Sequence, residues 1–225
     1  MSAEREVRIQ RSLLASIEKR CLVWMARRMP SAINSDHLTA VAALAMLVAG
    51  ACYWVAPEWP GALLIVVLML VVNWFGDSLD GTLARVRQHE RPRYGFYVDH
   101  VLDSLGMLFL VGGMVLGGYM SRAIGAGFLL AYYLLTIEIA LATHTVGTFR
   151  ISYWKFGPTE LRILLAIGTL QLLRSPAVDI LGSRWLLFDL GGTVGIIGLI
   201  GTFVISAIAN VRKLYKEEPL PRLCI

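Results

Sequence analysis

The main pattern along this 225-residue chain is a succession of apolar runs separated by short polar segments. A span of about twenty predominantly apolar residues is long enough to cross a bilayer as a helix. Six such spans are predicted, at residues 37–56, 61–86, 95–119, 122–146, 158–173 and 190–211. The fifth is short, and the segment after it has room for a turn and an interfacial helix. The pattern therefore predicts an all-α integral membrane fold with six transmembrane helices.

Residues 1–30 show a different pattern, in which apolar and basic positions separate around a helix. Four apolar residues share one face, namely Leu14, Ile17, Cys21 and Met25. A helix with this distribution lies in the membrane interface. We therefore divide the chain into an interfacial amphipathic helix at residues 1–30 and a six-helix transmembrane domain at residues 31–225.

Composition and charge add an orientation to this picture. The chain is 56% hydrophobic and 16% charged, with a net charge of +5. All but three of its 21 Lys and Arg residues lie in the termini or near the loops after the second and fourth spans, the exceptions being Arg122, Arg174 and Arg184. By the positive-inside rule, both termini and the end of the second span are cytoplasmic. The basic residues then serve anionic headgroups and phosphates, and we expect no nucleic-acid partner.

Acidic residues interrupt the apolar pattern where the second span ends and the third begins. At 100° per residue, acids and small residues share one stripe of each helix: Asp77, Asp80, Gly81 and Ala84 on the first, and Gly95, Asp99 and Asp103 on the second. Four carboxylates so close together need a compensating cation. Oxygen ligands favour Mg²⁺, Mn²⁺ or Ca²⁺, and two ions roughly 3.5–4 Å apart are usual for displacement at phosphorus.

These residues form a longer motif with fixed spacing. It reads Asp77-x-x-Asp80-Gly81-x-x-Ala84-Arg85, then nine residues, then Gly95-x-x-x-Asp99-x-x-x-Asp103. The motif resembles the signature of the CDP-alcohol phosphotransferase family at every position. The resemblance implies transfer of a phospho-alcohol group from a CDP-linked donor to a hydroxyl acceptor, with release of CMP. The transmembrane domain is then the catalytic domain, with a CDP-linked substrate and a membrane lipid as partners, and we also expect a homodimer.

Roles for the site residues follow from their chemistry and from the resemblance. The expected metal ligands, for two Mg²⁺ or Mn²⁺ ions, are Asp77, Asp80, Asp99 and Asp103. Asp103 is also the candidate general base that takes the proton of the acceptor, as the resemblance implies as well. The expected donor-binding residues are Asp77, Gly81, Thr82, Ala84 and Arg85, of which Arg85 offers a positive fork for phosphate.

A narrower resemblance concerns the substrates. The stretch Asp99-His100-x-x-Asp103-Ser104, together with residues 143–150 and 157–160, is similar to the choline and ethanolamine phosphotransferases. The candidate acceptor or headgroup residues are Gly95, His100, Glu138, Thr143, Arg150 and Glu160. This favours a CDP-choline-like or CDP-ethanolamine-like donor with diacylglycerol as acceptor; the alternative is CDP-diacylglycerol with a small polar alcohol. The chain departs from the family where the first span begins. The family often has a Pro-Asn-x-x-Thr element there, and this chain keeps only its threonine, Thr39.

The strongest alternative from another functional class is a divalent-cation transporter, because acids inside a membrane also line ion pathways. The guanidinium of Arg85 beside the acids argues against a cation pathway and suits a nucleotide diphosphate. A nucleotide-binding membrane protein without catalytic chemistry is a third possibility, and the intact fourth aspartate argues against it.

Overall fold

The computed structural model describes residues 15–146, 158–180 and 182–218. This part of the chain contains seven helices: α1 (Ala15–Arg28), α2 (Ser35–Val55), α3 (Ala62–Val86), α4 (Pro92–Leu116), α5 (Arg122–Val146), α6 (Pro158–Leu172) and α7 (Leu187–Glu217). Two short strands, β1 (Ala177–Ile180) and β2 (Ser183–Leu186), pair antiparallel between α6 and α7. The predicted all-α membrane fold is confirmed.

Five of these helices, α2 to α5 and α7, are long and apolar enough to cross a membrane. They coincide with five of the six predicted spans. Helix α6 occupies the fifth span but has only 15 residues. At 1.5 Å per residue it is about 22 Å long, shorter than the roughly 30 Å of a bilayer core. The count of six spans therefore stays a prediction.

The segment after α6 differs from the prediction of a turn and an interfacial helix. It forms a hairpin in which Ala177 pairs with Leu186 and Ile180 pairs with Ser183. Gly182 lies in the turn with a φ of +79°, a conformation that residues with a Cβ rarely adopt. The prediction of a helix was wrong because a short apolar run does not distinguish a strand from a helix by periodicity alone.

Helix α2 begins at a well-defined cap. The side chain of Asn34 accepts a hydrogen bond from the backbone N–H of His37, and the side chain of His37 accepts one from the backbone N–H of Asn34. This capping box satisfies two donors that the first turn of a helix otherwise leaves free. It fixes where α2 starts, and so the position of Thr39, the fifth residue of the helix.

Close packing of α2 against α4 depends on glycine. A Cβ added to Gly113 would overlap the carbonyl oxygen of Gly50, and a Cβ added to Gly50 would overlap the carbonyl oxygen of Phe109. Small residues allow membrane helices to approach each other this closely. Helix α2 packs along α3 as well, so α2 lies against both α3 and α4.

Helix α1 packs on α3 through Leu22 and Ala26, which are buried together with Leu79 and Leu83. Of the predicted apolar face, Met25 packs against this cluster, whereas Cys21 is exposed. Leu14 lies outside the described residues. That α1 lies in the membrane interface, and that it forms a unit separate from residues 31–225, stay predictions.

Candidate functional site

The aspartates of the motif meet in a cleft between α3 and α4. Asp77, Asp99 and Asp103 each offer one carboxylate oxygen, and these oxygens lie within 4.8 Å of one another. Asp80 lines the same cleft. The structure therefore brings all four aspartates to one place and three of them into one close group, here called the aspartate group.

Helical spacing and the packing of α2 explain this arrangement. Asp77 and Asp80 are three residues apart on α3, and Asp99 and Asp103 are four apart on α4, so each pair shares a helix face. Helix α2 closes the inner side of the cleft with Thr39, Ala42, Ala43 and Met46. Its close approach to α3 requires Gly76, where a Cβ would lie 2.6 Å from the carbonyl oxygen of Leu38.

Asp80 is held by two donors. The Thr39 hydroxyl lies 2.6 Å from Asp80 Oδ2 and 3.0 Å from the carbonyl oxygen of Ser35. Because a hydroxyl donates one proton and a carboxylate is the stronger acceptor, the bond to Asp80 is favoured. The backbone N–H of Gly81 donates to Asp80 Oδ1. The threonine that the chain keeps from the family element therefore orients an aspartate of the motif.

Arg162 enters the site from α6, and sequence analysis did not assign it there. Its Nη2 donates to Asp77 Oδ2 at 2.6 Å, and its Nε donates to Asn73 Oδ1 at 2.8 Å. Asn73 is buried and donates through Nδ2 to the carbonyl oxygen of Ala42 at 3.1 Å. The available signal was a charged residue inside the fifth predicted span, because charges in apolar spans usually have a functional partner.

The remaining donor-site candidates lie along α3 beyond the aspartates. Thr82 is buried, and its hydroxyl donates to the carbonyl oxygen of Ser78 at 3.1 Å and accepts from Arg85 Nη2 at 3.2 Å. Arg85 is exposed at the end of the helix. Thr82 follows Asp80 by two residues, or about 200° around the helix, so it lies on a different face of α3 from the aspartates.

A cavity of about 380 Å³ lies beside Ala84, between the ends of α2 and α3. Arg87 and Arg91 line it together with Asp36. Arg91 forms an ion pair with Asp36, and this hydrogen bond raises the pKa of Arg91 further above its ordinary value. Arg91 therefore stays positively charged at the cavity wall.

The candidate acceptor residues are more dispersed. His100 turns towards its own helix, with Nδ1 2.9 Å from the carbonyl oxygen of Phe96 and its ring centroid 4.0 Å from that of Phe96. Gly95 is exposed, and a Cβ there would meet no atom of the described residues within 4 Å. Glu160 is half-buried in the first turn of α6. Arg150 lies outside the described residues.

Glu138 and Thr143 contact other parts of the fold. Glu138 is buried, and its Oε1 accepts from Ser206 Oγ at 2.9 Å and from Asn210 Nδ2 at 2.7 Å. The buried hydroxyl of Thr143 donates to the carbonyl oxygen of Ile139 at 2.8 Å. The bonds of Glu138 join α5 to α7. A carboxylate in an apolar span needs hydrogen-bond donors, and here the donors come from the neighbouring helix. The structure does not bring either residue into the aspartate group.

A model of the family described as CDP-alcohol phosphatidyltransferase matches residues 27–204. No curated protein matches the chain significantly. The matched range covers most of the chain and contains α2 to α6 with the whole aspartate cleft. The chain therefore belongs to the CDP-alcohol phosphatidyltransferase family, whose reaction transfers a phospho-alcohol group from a CDP-linked alcohol to an acceptor.

Proposed function

We propose that this protein transfers the phospho-alcohol group of a CDP-choline-like or CDP-ethanolamine-like donor to a lipid hydroxyl such as that of diacylglycerol. The phosphorus–oxygen bond to CMP breaks, a bond to the acceptor oxygen forms, and the acceptor loses a proton. The observation that carries the proposal is the aspartate group of Asp77, Asp99 and Asp103 across the α3–α4 cleft. Apolar helices of membrane-spanning length surround the cleft, which supports a lipid as one substrate.

The aspartate group fits a hard divalent cation. Its three carboxylates supply the oxygen ligands that Mg²⁺ and Mn²⁺ prefer, within 4.8 Å of one another. Asp77, Asp99 and Asp103 would hold one ion, and Asp80, which lines the same cleft, would contribute to a second. Such ions offset the charge of the donor diphosphate and stabilise the charge that develops on the transferred phosphoryl group.

Asp103 is the proposed general base. It is the exposed member of the aspartate group, whereas Asp77 and Asp99 are half-buried. Asp77 is also engaged by Arg162. A base must come within hydrogen-bond distance of the proton that it takes, and Asp103 lines the cleft that an acceptor hydroxyl would enter.

The proposed donor site extends along α3. Its cavity of about 380 Å³ beside Ala84 is within the size range of small-ligand sites. Arg87 supplies positive charge at its wall, where Arg91 is paired with Asp36, and Arg85 lies one residue from Ala84. Placing the nucleotide near Ala84 would leave the diphosphate beside Gly81 and the aspartates. The substrate preference rests on the resemblance of residues 99–104, 143–150 and 157–160 to the choline and ethanolamine enzymes.

The reverse reaction tests this proposal because it labels the donor. Purified protein in detergent is incubated with Mg²⁺, radiolabelled CMP and one of a panel of phospholipids that includes phosphatidylcholine and phosphatidylethanolamine. Label in water-soluble CDP-choline or CDP-ethanolamine supports the proposal. Label in lipid-soluble CDP-diacylglycerol instead establishes the alternative, in which the lipid belongs to the donor. No labelled product with any phospholipid, from protein that binds CMP, contradicts both, and Asp103→Asn serves as the inactive control.

Two further proposals concern the whole molecule. The distribution of basic residues supports cytoplasmic termini and a cytoplasmic aspartate cleft. The expected homodimer stays a prediction, which a mass measurement of the protein–detergent complex checks.

A further inference from the structure

Arg162 reaches one member of the aspartate group from a third helix. Its two hydrogen bonds, to Asp77 at 2.6 Å and to Asn73 at 2.8 Å, use different nitrogen atoms of one guanidinium. The side chains of Arg162 and Asp77 are only 16% and 22% exposed. Their contact therefore differs from a mobile surface ion pair, because charges shielded from water interact more strongly.

Helix α6 is anchored on both sides of Arg162. One turn earlier, Thr159 donates to Glu18 Oε1 of α1 at 2.8 Å. Two turns later, Thr169 Oγ1 lies 2.5 Å from the hydroxyl oxygen of Tyr53 in α2, and both side chains are fully buried. The position of the helix therefore holds the guanidinium at Asp77.

Glu18 adds a second connection to the same region. The Oε1 atom that accepts from Thr159 also accepts from Trp74 Nε1 at 2.8 Å. Trp74 follows Asn73 on α3, so α1 ties α3 and α6 together beside the Arg162 contacts. This arrangement makes the contact between Arg162 and Asp77 a built feature of the fold.

Asp77 consequently has a positive partner before a divalent cation binds. A cation that enters the aspartate group has the same sign of charge as Arg162, so the two repel each other. Both also interact with the carboxylate of Asp77. We propose, on the basis of the proposed function above, that Arg162 is a resident counter-ion that weakens divalent-cation binding by the aspartate group. In the metal-free protein, the same charge offsets part of the repulsion among the acids. Arg162 acts through Asp77 and is therefore a positioning residue.

Binding of Mn²⁺ without nucleotide or lipid tests this proposal. The free ion is measured by electron paramagnetic resonance during titration of the full chain in detergent. Arg162→Gln is expected to bind Mn²⁺ on the order of tenfold more tightly than the wild type, from the loss of a unit charge near the site. Arg162→Lys retains the charge and should stay near the wild-type affinity. Structural damage alone would weaken binding, so the sign of the change distinguishes the two explanations.

Thermal unfolding provides an independent measurement. Without metal, Arg162→Gln should unfold at a lower temperature than the wild type, because the acids lose their counter-ion. Addition of Mn²⁺ should raise its unfolding temperature by more than that of the wild type, as tighter binding to the folded state requires. Arg122→Gln is the matched control, because Arg122 begins α5 at the end of the bundle away from Asp99. It also removes one positive charge, and it should change neither the unfolding temperature without metal nor the increase on addition of Mn²⁺.

Wild-type or weaker Mn²⁺ affinity in Arg162→Gln would overturn the inference and leave the proposed metal site intact. If the glutamine variant does not fold, Arg162→Met, which keeps the apolar part of the side chain, supplies the same comparison and the same criterion. Wild-type protein that binds no Mn²⁺ would contradict both the inference and the metal site of the proposed function.

Discussion

The hydroxyl of Thr39 donates a hydrogen bond to the carboxylate of Asp80, with 2.6 Å between Oγ1 and Oδ2. This bond joins the N-terminal part of α2 to the motif on α3. The other aspartate of that helix face, Asp77, is held instead by Arg162 from α6. Two acids three residues apart are thus oriented by two different helices.

Replacing Thr39 by valine removes this bond with little change in volume. A hydrogen bond to a charged group contributes roughly 1.5–3 kcal/mol, and part of this is regained from water at a half-exposed position. We expect Thr39→Val to lower turnover and Mn²⁺ affinity by roughly tenfold, through a less ordered Asp80. Steady-state assays and Mn²⁺ titration measure the two effects.

Thr193→Val is the matched control for that experiment. Thr193 is exposed on α7, and its hydroxyl donates to the carbonyl oxygen of Asp189 within the same helix. Its replacement should leave turnover and metal affinity unchanged. Equal behaviour of the two valine variants would show that the bond to Asp80 has no role in the site.

Removal of divalent cations should abolish CMP release. Four aspartates facing a diphosphate repel it until cations bind between them. EDTA is expected to stop the reaction, and excess Mg²⁺ or Mn²⁺ should restore it. Full turnover in chelator, with metal content checked by elemental analysis, would exclude the proposed metal site.

Two Asp→Asn variants separate the roles of metal ligand and general base. Asp80→Asn should weaken the binding of both CMP and Mg²⁺, because a neutral amide is a poorer ligand for a hard cation. If Asp103 is chiefly the base, Asp77 and Asp99 still hold the ion, so Asp103→Asn should retain much of this binding and slow the chemical step by the roughly 10²–10⁴-fold typical of a lost general base. Calorimetric binding of CMP with Mg²⁺ is compared with turnover for each variant. Loss of CMP binding in Asp103→Asn as complete as in Asp80→Asn would make Asp103 mainly a metal ligand.

Cysteine labelling tests the orientation. In a background without the native cysteines, His89→Cys lies in the loop between α3 and α4, and Glu58→Cys lies in the loop between α2 and α3. Both positions are exposed. An impermeant reagent should label residue 89 only from the cytoplasmic side and residue 58 only from the opposite side. The reverse pattern would place the aspartate cleft away from cytoplasmic nucleotides.

The α2–α4 contact predicts that alanine substitution at two adjacent glycines has different effects on thermal stability. In Gly113→Ala the new methyl group meets the carbonyl oxygen of Gly50, whereas at Gly112 no described atom lies within 4 Å of a Cβ. Overpacking typically costs about 1–3 kcal/mol, so Gly113→Ala should lower the thermal unfolding temperature in detergent. Gly112→Ala should leave it unchanged or slightly higher. Similar unfolding temperatures for the two variants would contradict the close approach of α2 and α4.

Local periodicity was sufficient for much of this architecture. Five of the predicted spans coincide with helices of membrane-spanning length, because span length and hydropathy are properties of consecutive residues. The stripe spacing also placed Asp77 with Asp80 and Asp99 with Asp103, because 100° per residue determines which side chains share a helix face. The family followed from the resemblance of the Asp77 to Asp103 motif to a known signature, and the match over residues 27–204 confirms it.

The partners of those faces depended on the tertiary structure. Helix periodicity does not determine which distant helix packs on a given face, so it could not show that Arg162 of α6 binds Asp77 or that Glu138 binds α7. It also could not assign Thr39 to Asp80, 41 positions along the chain. The sequence alone thus determined which acids share a face, through the fixed geometry of a helix. Only the packing of separate helices decided which residues hold those acids, because such contacts depend on the shapes of both surfaces.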